Sequence, residues 1–229
     1  LPKSYIENLR NTLSDGEYRT LVLGHWEWSA DENCLVKYTD VSNMFGKEVR
    51  QGSKWYLSVD VAFASDKCLI AVWNDNDVIE IVEVSKGVKP EDMIKELMTK
   101  YNVPEKQIVI DVVGAGLYLK NYFPKAYGFN AGGKVIGKEP FEHLKTQTYI
   151  KLATYISEGS IRIHSQNFRE DIATECMQLI KLPAELIGGK IKMISKKQIK
   201  QNIGHSPDFL DVLSMKMVFE LKSGYKISF

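Results

Sequence analysis

Three aspartates stand where a lone carboxylate is expensive. Asp60 lies in the apolar run VDVA, Asp111 in VIDVVGAG, and Asp208 in HSPDFLDVLSM. An ionised carboxylate among apolar strand residues is unfavourable unless a partner compensates it. Two such positions in one chain suggest a shared counter-charge. A divalent cation supplies one, because magnesium and manganese take hard oxygen ligands and keep positions open for water and phosphate. Two such ions about 4 Å apart can activate a water and stabilise the leaving oxygen in phosphodiester hydrolysis. That chemistry draws carboxylates from several elements. Asp211, three residues after Asp208 and on nearly the same helix face, is a secondary candidate, and so is Asp66 at the turn after Asp60. Each residue also has an ordinary reading. Asp60, Asp66 and Asp111 could be strand-end or hairpin residues. Asp208 suits the first turn of a helix behind a Ser206 cap and Pro207, where the helix dipole favours it. The combination favours the metal reading over any one part.

Such a site needs elements that gather it. Residues 55–62 (WYLSVDVA) alternate, 67–73 (KCLIAVW) form a near-continuous apolar run, and 78–84 (VIEIVEV) alternate again. With the turn cluster at 74–77, these predict a three-strand antiparallel meander. Pro90 opens a helix whose apolar stripe is Met93, Ile94, Leu97 and Met98. Residues 107–113 (QIVIDVV) predict a buried strand, and Gly114 and Gly116 a tight turn into a helix over 117–123. Residues 134–136 are a candidate fifth strand. Helices are expected over 141–157 and 168–182, with an extended piece at 161–164. Residues 185–195 carry two β-like arms around Gly188-Gly189, a hairpin signal. A short basic helix follows over 196–202, and Ser206-Pro207 starts a last helix to about 221. The order predicts an α/β fold, a mixed central sheet with meander strands, then parallel strands, and flanking helices. If the first and fourth strands are neighbours, Asp60 and Asp111 stand side by side. A helix laid across that edge delivers Asp208.

The bulk properties narrow the partners. The 229 residues fit one large domain, or one domain with an appended segment. Net charge is +1, so any surface for nucleic acid must be a local patch. Cys34, Cys68 and Cys176 form neither a CxxC pair nor a zinc spacing, and Cys68 reads as core. No apolar stretch reaches the roughly 18 residues of a membrane span, and no signal peptide is evident. The sequence starts at Leu1 without a methionine, which suggests a piece of a longer polypeptide. Residues 1–28 read as two short helices, followed by a loop to about 53. The core begins at 54. Residues 128–135 (GFNAGGKV) nearly fit a phosphate loop but end in Val135, which has no hydroxyl for a metal ion.

These residues resemble the nuclease domain of tailed-phage terminase large subunits, within the ribonuclease H and Holliday-junction resolvase superfamily. Asp60 in VDVA matches the first carboxylate, Asp111 in IDVVGAG the second, and Asp208 in SPDFLDVLSM the third. The last resembles the family ending SPD-x-x-DAL, with Val212 in place of the small residue after Asp211. His205, three residues before Asp208, matches a histidine of some members, and LPKSYIENLRNTL with LVLGHWEW resembles the stretch that joins the packaging ATPase to the nuclease. The resemblance implies a ribonuclease H-like fold, with 1–53 a linker from an ATPase domain absent from this chain and 54–229 the nuclease domain. It implies cutting of concatemeric viral duplex DNA with two magnesium or manganese ions, leaving a 3′-hydroxyl. Asp60 would bridge both ions, and Asp111 and Asp208 would each complete one site. The implied partners are double-stranded DNA, the small terminase subunit and the portal protein, at the procapsid in the host cytoplasm. A junction resolvase on the same fold, or a non-catalytic DNA-binding or portal-docking module, are the alternatives.

Lysines concentrate late in the chain, at Lys181, Lys190, Lys192, Lys196, Lys197 and Lys200. A basic arm of this kind can hold a phosphate backbone without reading sequence. Lys138, Lys145 and Lys151 are weaker candidates for the same task. His205 could orient a water or contact the scissile phosphate. His143 and His164 belong to no motif, and Trp26 and Trp28 read as packing residues.

Overall fold

The computed structural model describes residues 33–46, 48–61, 68–183 and 189–222, together with Ile6 and Arg10. Apart from those two helical residues, the helices expected over 1–28 lie outside the described residues, as does Asp66. The stretch read as loop before residue 53 contains one short helix, α1 (Tyr38–Ser42), and Val36, Val41 and Met44 around it are buried in the core.

The meander forms where alternation predicts it. Strands β1 (Trp55–Asp60), β2 (Leu69–Asn74) and β3 (Asp77–Glu83) pair antiparallel in sequence. β2 is buried along its whole length, which explains its unbroken apolar run. Helix α2 (Pro90–Tyr101) starts on its proline and buries Ile94 and Leu97. It leads to β4 (Ile108–Asp111), which pairs parallel with β1. A 3-10 helix (Gly114–Tyr118) and the short α3 (Leu119–Tyr122) follow. The turn needs both its glycines. Gly114 has a φ of +73°, and a Cβ on Gly116 would come within 1.8 Å of the Asp111 carbonyl oxygen.

The fifth strand is β5 (Tyr127–Phe129), not 134–136. It pairs parallel with β4 and buries Phe129. The segment read as a strand instead meets a side chain. Gln147 accepts from the Ile136 N–H and donates to the Ile136 carbonyl, each at 2.8 Å. Helix α4 (Leu144–Ser157) is almost wholly buried. β6 (Arg162–Ile163) adds parallel to β3, completing the order β5-β4-β1-β2-β3-β6.

Helix α5 (Arg169–Cys176) is shorter than the expected 168–182. The chain beyond it straightens so that Ile180 bridges Cys34 and Lys181 bridges Met193. Met193 of the second expected arm thus pairs with Lys181, ahead of the expected hairpin, and the first arm, up to residue 188, lies outside the described residues. Helix α6 (Lys196–Ile203) is the basic helix, capped by Ser195. The last helix is two: α7 (Asp208–Met215) and α8 (Met217–Lys222). At the break, fully buried Lys216 donates to Glu220 at 2.6 Å and to Asn76 at 2.7 Å.

Two apolar layers flank the sheet. Leu57, Val59, Ile70, Val72, Ile108 and Ile110 face Ile94 and Leu97 of α2 and Leu119 of α3. Leu69, Ala71, Trp73 and Val109 face the opposite way, into a larger core with residues of α1, α4, α5, α7 and α8. Among the described residues no helix is long and apolar enough to cross a membrane.

Candidate metal centre

β1 and β4 run parallel with Val59 opposite Ile110, and each strand ends one residue later, at Asp60 and Asp111. Side chains alternate along a strand. Val59 and Ile110 belong to the α2 layer, so Asp60 and Asp111 are directed to the other face. That face is where α7 lies, against β1, β2 and β4. Its first turn supplies Asp208, 8% exposed, and Asp211, whose side chain is 14% exposed. Four carboxylates from three elements thus share one environment at the carboxyl ends of two interior strands.

The helix does not begin as the sequence suggested. Pro207, not Ser206, holds the cap position, and it makes no side-chain cap bond. The Leu210 N–H is accepted instead by Glu175 Oε2 of α5 at 2.8 Å.

The electrostatics show what the cluster lacks. Burial first, then the charges of Asp211, Asp111 and Asp208, push the Asp60 carboxyl up from 3.8 to about 8; Lys196 opposes them. Asp111 is also raised, by burial and by Asp211, although its carboxylate accepts the Val113 N–H at 2.9 Å. Asp211 goes the other way. Burial would raise it, but Lys145 at 2.6 Å, Lys196 at 3.4 Å and the Tyr149 hydroxyl at 2.5 Å hold it below its ordinary value. Lys196 also lies 3.9 Å from Asp208. It stays charged against burial because Asp211, Asp60 and Asp208 surround it.

Oxygen-only donors, four carboxylates against the two ammonium groups of Lys145 and Lys196, fit a hard divalent cation. The ligand set is not closed, however. Among the described residues no three His, Cys, Asp or Glu side chains already converge as a metal site.

The remaining sequence candidates divide. Lys196 joins the carboxylates. Lys190, Lys197 and Lys200 are exposed, while Lys192 pairs with Glu142 at 3.2 Å. The arm before α6 is docked on the α4 side by Ile191, whose N–H donates to the Pro140 carbonyl at 2.7 Å. Between that arm and α4 lies a cleft of about 270 Å³ lined by His143, Lys145, Tyr149, Ser195 and Lys196. Lys138 is exposed, whereas Lys151 is buried, with its amine over the Tyr155 ring, and cannot serve an outward contact. His205 is exposed. Its Nδ1 lies 2.8 Å from the Ser206 carbonyl oxygen and 3.6 Å from Glu175 Oε1. Tyr149 and Glu175 were not legible as site residues. One signal was available: Lys145 and Tyr149 stand four apart in α4, so one face carries both groups that hold Asp211. Cys68 is the packing residue expected, its thiol pushed up to about 12 by burial and by the Asp60 charge.

No family model matches the sequence, and no curated protein does. Solved structures do. A variant of the nuclease domain of the large terminase subunit gp2 of bacterial virus Sf6, solved with manganese and beta-thujaplicinol, aligns with a TM-score of 0.67 at 16% identity, over 80% of this chain and 98% of that one. The large terminase nuclease domain of Thermus phage P74-26 aligns at 0.51 and 12% identity, over 83% and 98%. The large terminase nuclease of thermophilic phage G20c, solved with bound magnesium, aligns at 0.51 and 11% identity, over 86% and 100%. The chain thus has a ribonuclease H-like α/β fold. More narrowly, it has the form of that fold found in the nuclease domains of phage large terminase subunits.

Proposed function

We propose that this chain is a metal-dependent DNA endonuclease, the cutting domain of a phage DNA-packaging terminase. One observation carries the reading: Asp60 and Asp111 end adjacent parallel strands, and α7 adds Asp208 and Asp211 to the same face. The likeness in fold to terminase nuclease domains supports the packaging role. On this reading residues 54–229 are the nuclease domain, and 1–53 lead in from an ATPase domain.

Asp60, Asp111 and Asp208 would hold two magnesium or manganese ions, with Asp211 and Asp66 as further candidates. Two bound ions would supply an activated water and stabilise the leaving oxygen. The chain's own groups do the rest. Lys145 and Tyr149 fix Asp211 at the wall of the cluster. Exposed Lys190, Lys197 and Lys200, with Lys192 and Lys196 beside the cleft, would grip the backbone of concatemeric duplex DNA without reading bases. His205 would act only at the margin, since its contacts are to Glu175 and Ser206. The small terminase subunit and portal protein would be partners of the longer polypeptide, in the host cytoplasm.

The test is cleavage of supercoiled plasmid in manganese by the wild type and by Asp60→Ala. Loss of a residue that only orients a metal ligand costs about 10- to 100-fold, so removing a ligand is expected to cost at least about 100-fold. Equal cutting by both proteins would remove the role given to Asp60. Linear duplex and a four-way junction belong in the same assay, because strong preference for the junction would make the chain a resolvase.

A further inference from the structure

Helix α7 carries two of the four clustered carboxylates, yet it has no cap of its own. The first N–H groups of any helix lack partners within it. Here the cap position is Pro207, which has no side-chain acceptor. The partner comes from another helix. Glu175 of α5 is 1% exposed, and its Oε2 accepts the Leu210 N–H at 2.8 Å, with the Phe209 N–H also directed to it. α5 itself is immobilised in the core by Ile172 and Cys176, three residues before Glu175 and one after, both fully buried.

We propose that Glu175 is a positioning residue, a cap supplied from outside α7 that fixes how the helix presents Asp208 and Asp211 to Asp60 and Asp111. This inference rests on the nuclease reading above. The two capped amides, at Phe209 and Leu210, lie between the two aspartates in sequence. Whatever holds these amides therefore sets both the rotation and the advance of that turn. Metal sites tolerate only about 0.5 Å or 10–20° of error. Glu175 Oε1 lies 3.6 Å from His205 Nδ1, which gives that histidine a structural partner.

Two variants separate reach from charge. Glu175→Asp keeps the charge but withdraws the oxygen by one methylene. Glu175→Gln keeps the reach and removes the charge. Each is measured for amide hydrogen exchange at Leu210, for manganese affinity by calorimetry, and for kcat and KM on plasmid. In the wild type the Leu210 amide is expected to exchange slowly. E175D is expected to expose that amide, to weaken manganese binding and kcat by about 10- to 100-fold, and to leave KM for DNA within about threefold. E175Q is expected to restore slow exchange and to bring affinity and kcat within about threefold of the wild type. Wild-type behaviour of E175D in all three measurements would overturn the proposal. So would an E175Q more impaired than E175D, because charge rather than reach would then be the contribution. A wild type that neither binds manganese nor cuts would sink the nuclease reading instead, and the Leu210 exchange would still decide whether Glu175 is the cap.

Discussion

Asp60 is the residue at which function and stability pull in opposite directions. Its folded-state carboxyl titrates near 8 rather than at 3.8, because burial and three neighbouring aspartates oppose its charge. Folding therefore binds a proton, and the metal-free protein loses stability as pH rises from about 4 toward 8. Asp60→Asn removes that penalty. The variant is expected to melt higher than the wild type at pH 7.5 without metal, to show no such gain at pH 4, and to lose the manganese-induced rise in melting temperature. Differential scanning fluorimetry over the two pH values reads all three, and an unchanged manganese response would break the link between Asp60 and the ion. Asp60 and Asp111 were legible because an acid inside an apolar strand has few explanations. Glu175 was not. In REDIATEC it is one of three acids in eight residues, and only tertiary packing decides which of them is buried.

Among the elements, β3 depends on a polar anchor at its first residue. Asp77 is almost wholly buried. It accepts from the Arg50 backbone N–H at 2.9 Å and from Arg50 Nε at 2.7 Å, and His164 Nε2 lies 3.2 Å away. Burial would raise its carboxyl, but these bonds outweigh burial and hold it below 3.8. The sign is that of a depressed acid. Its contribution is complete above about pH 4 and disappears as pH falls through the lower folded value. Asp77→Asn is expected to cost on the order of 2 kcal/mol at pH 7 and much less near pH 2, as measured by urea unfolding. An equal cost at both pH values would mean that the charge is not what anchors the strand. The meander was readable because alternation sets its faces. β5 was not readable, because YGF has no alternation to show and is chosen by its pairing with β4. The α7–α8 break was hidden as well. Lys216 looks like one more helix lysine until Glu220 and Asn76 are seen to hold it inside.

At the scale of the whole molecule, the charge balance forbids a global attraction to DNA. Net charge is +1, and four carboxylates crowd the cluster. On the proposed function, binding would rest on a few lysines near the α6 arm, of which Lys190, Lys197 and Lys200 are exposed. Each phosphate contact contributes about 0.9 to the slope of log affinity against log salt. Replacing all three by alanine is expected to lower that slope by up to about 3, as read by fluorescence anisotropy of a labelled duplex over a potassium chloride series. An unchanged slope would move the DNA-binding face elsewhere. The charge count was legible in the sequence, but the sorting of the lysines was not. Lys145 is largely covered and Lys196 half exposed, and both reach Asp211.

The order β5-β4-β1-β2-β3-β6 leaves β1 and β4 with a hydrogen-bonded neighbour on either side. Local fraying begins at the margins of a sheet, where the fewest bonds must open. Asp60 and Asp111, the proposed metal ligands, thus end strands that are flanked on both sides, where opening costs more bonds than at the margin. On the proposed function, mild heat or denaturant would loosen β6 at the far margin before it disturbs these two acids.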